Sequence, residues 1–348
     1  MTTTSTPDLV EEFGSDAGLV ARIQSVLHKY PYLSPLTVLI VAMIVFTLLN
    51  ERFILLTNLS LLTQQTVIVG TLAIAQTLVI LTAGIDLSIG AIMVFGQMMM
   101  ANLAVSSEAS NVAGFGWPSP IAIVAGILIA VVAGAVNGLL ITRINLPPFI
   151  VTLGTLSVFT ALSLIFFKAR TIQGPEMPEG LKVMGNAWNL GSFRLMLGVG
   201  VMLALYAIFA YILRNTAWGT HVYAVGDDPA AAELSGINTK RVLLGVYAMA
   251  GLIIGIAGWI TIGRVGSASP NVAPNINLDS ITAVVIGGTS LFGGRGTMIG
   301  TLLGALIVVV FQNGLALAGY DQAPRVLAVG ILVIAAVALD QWIRKVQA

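Results

Sequence analysis

Long apolar stretches separated by short polar segments run along the chain from about residue 35 to residue 343. A helix that crosses a bilayer needs about 20 consecutive, mostly apolar residues. A window of that length finds about ten apolar segments, at 35–49, 62–82, 86–104, 119–141, 149–167, 195–213, 242–262, 280–290, 298–318 and 324–343. The pattern predicts an all-α polytopic membrane protein with about ten transmembrane segments.

Two of these segments depart from a continuous span. Residues 280–290 are too few to cross the bilayer alone and include Gly287-Gly288, and the run Thr-Ala-Gly-Ile-Asp-Leu-Ser at 82–88 interrupts a long apolar stretch. Broken helices are tolerated at membrane depth only where protein or a water-filled cavity satisfies the freed backbone groups. We therefore expect broken or re-entrant helices at both places, next to an internal pathway.

The two halves of the chain resemble each other at an offset of 176 residues. Apolar coincidences are common in such a sequence, but this shift also superimposes Asn, Gly and Pro residues. The matched pairs are Asn137 with Asn313, Gly138 with Gly314, Pro148 with Pro324 and Gly154 with Gly330. The first two pairs lie in the fourth and ninth segments, which are five apart, and an odd separation reverses the direction of a span. We interpret the pattern as an inverted internal repeat, which many transporters use to line a central pathway.

Composition narrows the range of functions. Only 9% of the residues are charged, against about 25% in a soluble protein, and a net charge of +1 excludes a nucleic-acid binder that acts through a basic surface. The chain has no cysteine, and His28 and His221 fit no metal-ligand spacing. It also lacks a GxxxxGK[ST] phosphate-binding loop. We expect no catalytic residue, metal or cofactor in this chain, and any ATPase has to be a separate subunit.

An even number of spans places both chain ends on the same side of the membrane. Nine of the 16 Lys and Arg residues then fall on that side, which the positive-inside rule makes cytoplasmic. The resulting organisation is a cytoplasmic N-terminal tail at 1–33, a transmembrane domain at 34–343 and a cytoplasmic C-terminus at 344–348.

Asp86 is the single ionisable residue between Arg52 and Glu108. A carboxylate at lipid depth costs about 2.5–3.5 kcal/mol, so it should face a cavity or a partner. It could border a substrate pathway, or it could cap the helix that follows the break, and the two roles are compatible. Neutral polar residues in the apolar segments could likewise contact a polyhydroxylated substrate or join neighbouring helices. Our candidate pathway residues are Gln76, Thr82, Asp86, Ser88, Gln97, Asn137 and Asn313.

The polar loop at 214–241 contains a local helix signal. Asp228 is a good N-cap, Pro229 suits the first helical position, 230–234 are helix formers, and Gly236 suits the left-handed position after the last turn. These residues predict a helix of about two turns outside the bilayer. Its alanine face could dock into a groove of another protein, or the helix could simply connect two spans.

Four motifs resemble the permease subunits of bacterial monosaccharide ABC importers of the ribose/xylose/fructose type. They are Leu-Thr-Ala-Gly-Ile-Asp-Leu-Ser-Ile-Gly at 81–90, Asn-Gly-Leu-Leu-Ile at 137–141, Leu-Pro-Pro-Phe-Ile-Val-Thr-Leu-Gly at 146–154 and the glycine-rich run at 287–297. The resemblance extends from about residue 35 to residue 343. It implies that residues 226–237 form the coupling helix, which docks on an ATP-binding subunit. The implied coupling residues are Gly226, Asp227, Asp228, Ala231, Ala232, Glu233 and Gly236.

One coupling position departs from the family pattern. The family usually has Asn directly after the loop glycine, where this chain has Asp227. The difference leaves the helix signal intact but puts an Asn-specific contact in doubt.

The resemblance also implies an assembly. The chain would pair with a second permease copy as a homodimer, two ATP-binding subunits that hold ATP and Mg²⁺, and a periplasmic sugar-binding protein, in the bacterial inner membrane. ATP binding would move the coupling helix and switch the pathway between outward and inward access.

Two other function classes stay open at this point. A branched-chain amino-acid or nucleoside ABC permease would share the broad architecture. A secondary transporter would normally use several intramembrane charges for ion coupling. Asp86 alone gives only weak support for that function.

Overall fold

The computed structural model describes residues 32–106, 114–173, 176–271 and 275–345, and these residues are mostly helical. All but the end of the predicted tail at 1–33, and residues 346–348 of the predicted C-terminus, lie outside the described residues. Each predicted apolar segment corresponds to one helix. The main helices are α1 (Leu33–Leu49), α2 (Leu56–Leu81), α3 (Ile89–Ala104), α4 (Ser119–Arg143), α5 (Pro148–Phe167), α7 (Leu197–Asn215), α10 (Thr239–Val265), α11 (Ile276–Ile286), α12 (Met298–Leu317) and α13 (Gln322–Lys345).

Shorter elements fill the connections. Helix α6 is Glu179–Lys182, α8 is Ala217–Asp227 and α9 is Pro229–Leu234, and 3₁₀ turns occupy Glu51–Ile54 and Val183–Gly185. The described chain departs from the all-α prediction at a hairpin of β1 (Ala187–Leu190) and β2 (Phe193–Met196), which pair antiparallel. This hairpin lies in a connection between apolar segments, where hydropathy gives no signal for strands.

Six of the described helices are long and apolar enough to cross a membrane, namely α2, α4, α5, α7, α10 and α12. Helices α1, α3 and α11 are shorter, with 17, 16 and 11 residues. A bilayer core of about 30 Å needs about 20 helical residues. The chain is therefore a polytopic membrane protein in which long spans are combined with partial ones.

Burial separates central helices from peripheral ones. In the most apolar part of α2, 89% of the residues are buried inside the protein, whereas in α5 only 22% are. The exposed side chains of α5 are large and apolar, as at Ile150, Leu153 and Ile165. An apolar surface of this kind suits contact with lipid, so α2 is a core helix and α5 lies at the lipid boundary.

Helices related by the 176-residue offset make corresponding contacts. The offset relates α4 to α12 and α5 to α13 directly, and the order of helices in each half then pairs α2 with α10 and α3 with α11. Helix α2 packs on α12 as α10 packs on α4, α3 packs on α4 as α11 packs on α12, and α3 packs on α5 as α11 packs on α13. The packing of the first half is thus repeated in the second.

Small residues allow the closest of these contacts. A Cβ added at Gly251 of α10 would lie 2.4 Å from the Ala130 carbonyl oxygen of α4, and one at Gly304 of α12 would lie 1.8 Å from that of Ala283. Neither position can hold a side chain without separating the helices. Glycine here provides close backbone approach, as it does in many membrane helix pairs.

The fold has two distinct ends, which we name by their surface elements. The hairpin β1–β2 directly precedes α7, and α8 and α9 directly follow it. Helix α7 has 19 residues, which is about 28 Å at 1.5 Å per residue. One end of the molecule is therefore the hairpin side and the other is the α9 side.

Candidate functional site

Helix α9 forms at the residues that the sequence predicts. The Asp228 carboxylate accepts hydrogen bonds from the backbone N–H groups of Ala230 at 2.9 Å and Ala231 at 3.0 Å. At the other end Gly236 has φ +83° and donates its N–H to the Glu233 carbonyl at 2.9 Å. The predicted helix within 226–237 is therefore present as α9, although the preceding helix α8 was not predicted.

The outer face of α9 is exposed to solvent. Leu234 is 91% exposed, and Ala230, Ala231 and Glu233 are also exposed, whereas Ala232 is 4% exposed and packs inward. An isolated turn of helix that shows a leucine and two alanines to water has a small apolar surface available to a partner. The capping bonds hold this surface in one orientation.

The residues just before α9 pack closely against both breaks in the apolar segments, the one after Leu81 and the one in the glycine-rich run at 287–297. A Cβ added at Gly226 would lie 1.7 Å from the Leu81 carbonyl oxygen and 2.7 Å from the Gly294 nitrogen. Gly294 donates its N–H to the Leu81 carbonyl at 3.0 Å, and the Tyr223 hydroxyl donates to the Gly296 carbonyl at 2.8 Å. The end of α2, the glycine-rich loop and α8 thus meet at one point on the α9 side.

The first break is held by a buried polar cluster. The Asp86 carboxylate accepts hydrogen bonds from the Ser88 N–H at 2.7 Å and the Ser88 hydroxyl at 2.6 Å. The Asn137 amide donates to the Ser88 hydroxyl at 2.9 Å, and the Thr152 hydroxyl donates to the Ile85 carbonyl at 3.0 Å. Asp86 is 1% exposed, so it satisfies groups just before α3 and faces no open cavity in this conformation.

The two shortest core helices begin next to each other inside the protein. The Gly90 N–H in the first turn of α3 donates to the Asn277 side-chain oxygen in the first turn of α11 at 2.6 Å. A Cβ added at Gly90 would lie 2.6 Å from both Asn277 and Ile276. Two partial helices whose N-termini meet within the protein are a feature of transporter substrate sites.

A cavity of about 290 Å³ opens on the hairpin side between α2, α10, α11, α12 and α13. The Gln312 amide donates to the Asp279 carboxylate at 3.1 Å across it. Asn313 is 5% exposed, and its side-chain oxygen has no hydrogen-bond partner among the described residues. The polar residues that line the cavity are Gln65, Arg264, Asp279, Gln312, Asn313 and Arg325.

The predicted pathway residues do not all meet at this cavity. Asn313 alone of that set lines it. Gln76 is fully buried in α2, with neither amide atom bonded within the described chain. Gln97 donates to the Ser269 carbonyl at 3.2 Å, and the Thr82 hydroxyl donates to the Val79 carbonyl of its own helix at 2.9 Å.

Most of the cavity residues were missed by the sequence analysis for a definite reason. Arg264 and Asp279 lie just beyond the ends of the segments at 242–262 and 280–290, where a charge normally marks the limit of a span. Helix α11 begins inside the protein at Ile276, so Asp279 in its first turn lies inside as well, and the last turn of α10 brings Arg264 to the same cavity. One signal for a cavity residue was available in the sequence, because Asp279 directly precedes the unusually short segment at 280–290.

Comparison with known proteins places the chain in a family. Residues 58–337 match the family described as "Branched-chain amino acid transport system / permease component". The chain belongs to this family. No solved protein structure matches it.

Three relatives cover nearly the whole chain. It is 43% identical to a fructose import permease protein of Rhizobium meliloti over 99% of this chain and 94% of the relative. It is 38% identical to a ribose import permease protein of Bacillus subtilis over 89% and 92%. It is 34% identical to a galactose/methyl galactoside import permease protein of Escherichia coli over 91% and 97%. The chain is thus a transport subunit rather than an enzyme, and a multi-pass membrane protein of a bacterial importer.

Proposed function

We propose that this chain is the membrane-spanning permease subunit of an ATP-driven ABC importer that carries a monosaccharide of the fructose, ribose or galactose type. The observation that carries this proposal is the near full-length similarity to three import permeases, each of which is named for such a sugar. The motifs at 81–90 and 287–297 support it independently.

Helix α9 is the docking element for a separate ATP-binding subunit in this proposal. The sequence has no phosphate-binding loop of its own, so ATP and Mg²⁺ belong to the partner. The exposed alanines and Leu234 supply the apolar contact, and Asp228 and Gly236 fix its orientation. Gly226 and Asp227 connect the docking element to the rest of the protein, and Glu233 accepts a hydrogen bond from Thr239 of α10.

The permease crosses the membrane about ten times as two inverted repeats, with α9 and both chain ends in the cytoplasm. Two contacts support the reversal of direction. Ser60 near the start of α2 bonds Arg194 of the hairpin, and Trp259 near the end of α10 bonds Leu181, which is close to the hairpin in sequence. Helix α2 therefore begins on the hairpin side, whereas α10 ends there. Residues 34–343 form the membrane domain, between the tails at 1–33 and 344–348. The bacterial inner membrane is the site of this assembly.

Movement of α9 reaches the centre of the protein through the two breaks. Gly226 touches Leu81 and Gly294, and the break after Leu81 leads to α3, whose first turn is bonded to α11. A rigid shift of α9 therefore changes the relation of the two partial helices, and this switches the pathway between outward and inward access.

The pathway residues divide into two roles. Asn313 contacts the sugar from the cavity wall, and the fully buried amides of Gln76, Gln97 and Asn137 border the path in the alternate conformation. Asp86, Ser88 and Thr82 hold the break in α2–α3 during the change. Amides suit a neutral sugar because each can donate and accept a hydrogen bond.

The remaining partners follow from the family. An import permease of this family works with an ATPase and a substrate-binding protein. We propose two ATP-binding subunits, one periplasmic sugar-binding protein and a second copy of this chain, so that two α9 helices dock on two ATPases.

The substrate class is tested by uptake of labelled sugars in a strain that lacks this chain and in the same strain with the chain restored. The panel is fructose, ribose, galactose and xylose, with leucine as the amino-acid arm, because the family description itself favours that second function. Restored uptake of one sugar supports the proposal. Restored uptake of leucine alone would replace it with the amino-acid function.

A further inference from the structure

The cavity on the hairpin side has a size and a lining that suit a ligand-binding site. It is about 290 Å³, at the small end of the range of about 300–1,000 Å³ for ligand pockets. Among the charged and amide residues around it, Asn313 is buried and the others are half-buried. Space of this size suits a single small molecule.

The polar groups of the cavity have unused hydrogen-bonding capacity. The Asn313 oxygen has no hydrogen-bond partner in the part of the chain that the structure describes, and the Asp279 carboxylate accepts from Gln312 through one oxygen. In the described part of the chain no ion pair within 4.0 Å joins Asp279 to Arg264 or Arg325. Buried polar groups are normally paired, so the Asn313 oxygen and the second Asp279 oxygen are available as acceptors for the hydroxyl groups of a small molecule in this cavity.

The lining combines these groups with an apolar wall. Ile68 and Val69 of α2 and Ile276 of α11 also line the cavity. A monosaccharide has hydroxyl groups around its edge and C–H groups on its ring faces. Carboxylate and amide oxygens accept from the hydroxyls, the amide and guanidinium groups donate to them, and the aliphatic wall covers the C–H groups.

The position of the cavity fits the route of an imported molecule. Arg264 lies in the last turn of α10 and Ala316 in the last turn of α12, and both turns are on the hairpin side, opposite α9. One lining residue, Ile276, is next to Asn277, which bonds the first turn of α3. The cavity therefore borders both the hairpin side and the meeting point of the two partial helices.

We infer that this cavity is a saccharide-binding site of the permease itself, in which Gln65, Asp279, Gln312 and Asn313 bond the hydroxyl groups of the incoming sugar. The inference rests on the proposed function. It adds a specificity-determining site on the permease to the one that a separate sugar-binding protein would supply.

The test uses the absence of cysteine from the native chain. An Ala316→Cys variant places one thiol in the cavity with little change in size, and an Asn189→Cys variant places one on the exposed hairpin away from the cavity. Both full-length variants are labelled with a membrane-impermeant thiol reagent in membranes that lack the sugar-binding protein. Fructose, ribose, galactose or leucine is added in increasing concentration.

We expect at least one of the three sugars to slow the labelling of Ala316→Cys, by about twofold at half-saturation, and to leave Asn189→Cys unchanged. Adding Gln65→Leu should remove the protection. Adding Gln64→Leu should retain it, because Gln64 is the adjacent half-buried amide that bonds Ser60 instead of lining the cavity.

Labelling at the same rate with and without each sugar would overturn the inference, as would protection by leucine alone. Equal loss of protection in the Gln64 and Gln65 variants, or no labelling of Ala316→Cys at all, would also contradict it. Sugar uptake by the wild-type chain is measured in parallel. Normal uptake without protection refutes this site alone, whereas absence of any sugar uptake refutes the proposed function.

Discussion

Replacing Gly226 with alanine tests the connection between α9 and the two breaks. Gly226 is buried where α8 meets Leu81 and Gly294. The added Cβ would lie 1.7 Å from the Leu81 carbonyl oxygen, whereas ordinary van der Waals contact begins at 3.4 Å. The backbones must therefore separate by at least about 1.7 Å. The methyl group would also crowd both partners of the Gly294–Leu81 hydrogen bond, because it would lie 1.7 Å from the acceptor oxygen and 2.7 Å from the donor nitrogen.

The magnitude follows from these two effects. Overpacking of a tight contact costs about 1–3 kcal/mol, and a buried carbonyl or N–H left without a partner costs about 1–3 kcal/mol. Because part of the structure relaxes, we expect a loss of about 2–5 kcal/mol in the stability of this junction. A change of this size uncouples α9 from the breaks even where the spans themselves remain folded.

The assay compares Gly226→Ala with Gly200→Ala, in membranes that contain the complete transporter. Gly200 lies in the transmembrane helix α7, and an added Cβ there meets nothing within 4 Å. We expect Gly200→Ala to transport like the wild type and Gly226→Ala to lose most of its uptake. If Gly226→Ala reached the wild-type level in the membrane and showed wild-type uptake, the proposed connection between α9 and the two breaks would be refuted.

Three further changes test the other parts of the account. Asp228→Ala removes the cap of α9 at a cost of about 1 kcal/mol and should lower sugar uptake several-fold. Asp228→Asn keeps a capping side chain and should retain uptake. Equal uptake in the two variants would show that the cap has no role. Leu234→Glu should leave membrane insertion intact and weaken co-purification of the ATP-binding subunit, and unchanged co-purification would place the docking surface elsewhere. Asp86→Ala leaves the buried N–H and O–H donors of Ser88 without their acceptor, at a cost of about 1–3 kcal/mol. It should therefore lower the thermal stability of the purified permease, and an unchanged melting temperature would count against the cluster.

Local signals made part of the fold predictable. The apolar windows found every main helix because a membrane span is defined by its own residues. Helix α9 was predictable because Asp228, Pro229 and Gly236 act within a few residues of one another. The break at 82–88 was found because a carboxylate is costly inside a lipid-facing helix.

Long-range arrangement set the limit of prediction. Gln97 and Asn313 have the same chemistry in similar apolar segments, yet one bonds Ser269 and the other lines the cavity. Which amide faces a cavity depends on how neighbouring helices turn and end. The contacts of Gly226 with Leu81 and Gly294 likewise join residues far apart in sequence, so no local pattern could reveal them.

The central claim is that ATP on a separate subunit drives sugar uptake through this chain. It is tested most directly by measuring uptake of the transported sugar in complemented cells in two parallel arms. One arm depletes ATP while the proton gradient is maintained, and the other adds a protonophore while ATP is held constant. The account predicts that uptake stops in the first arm and continues in the second. Uptake that collapses with the protonophore and survives ATP depletion would contradict it.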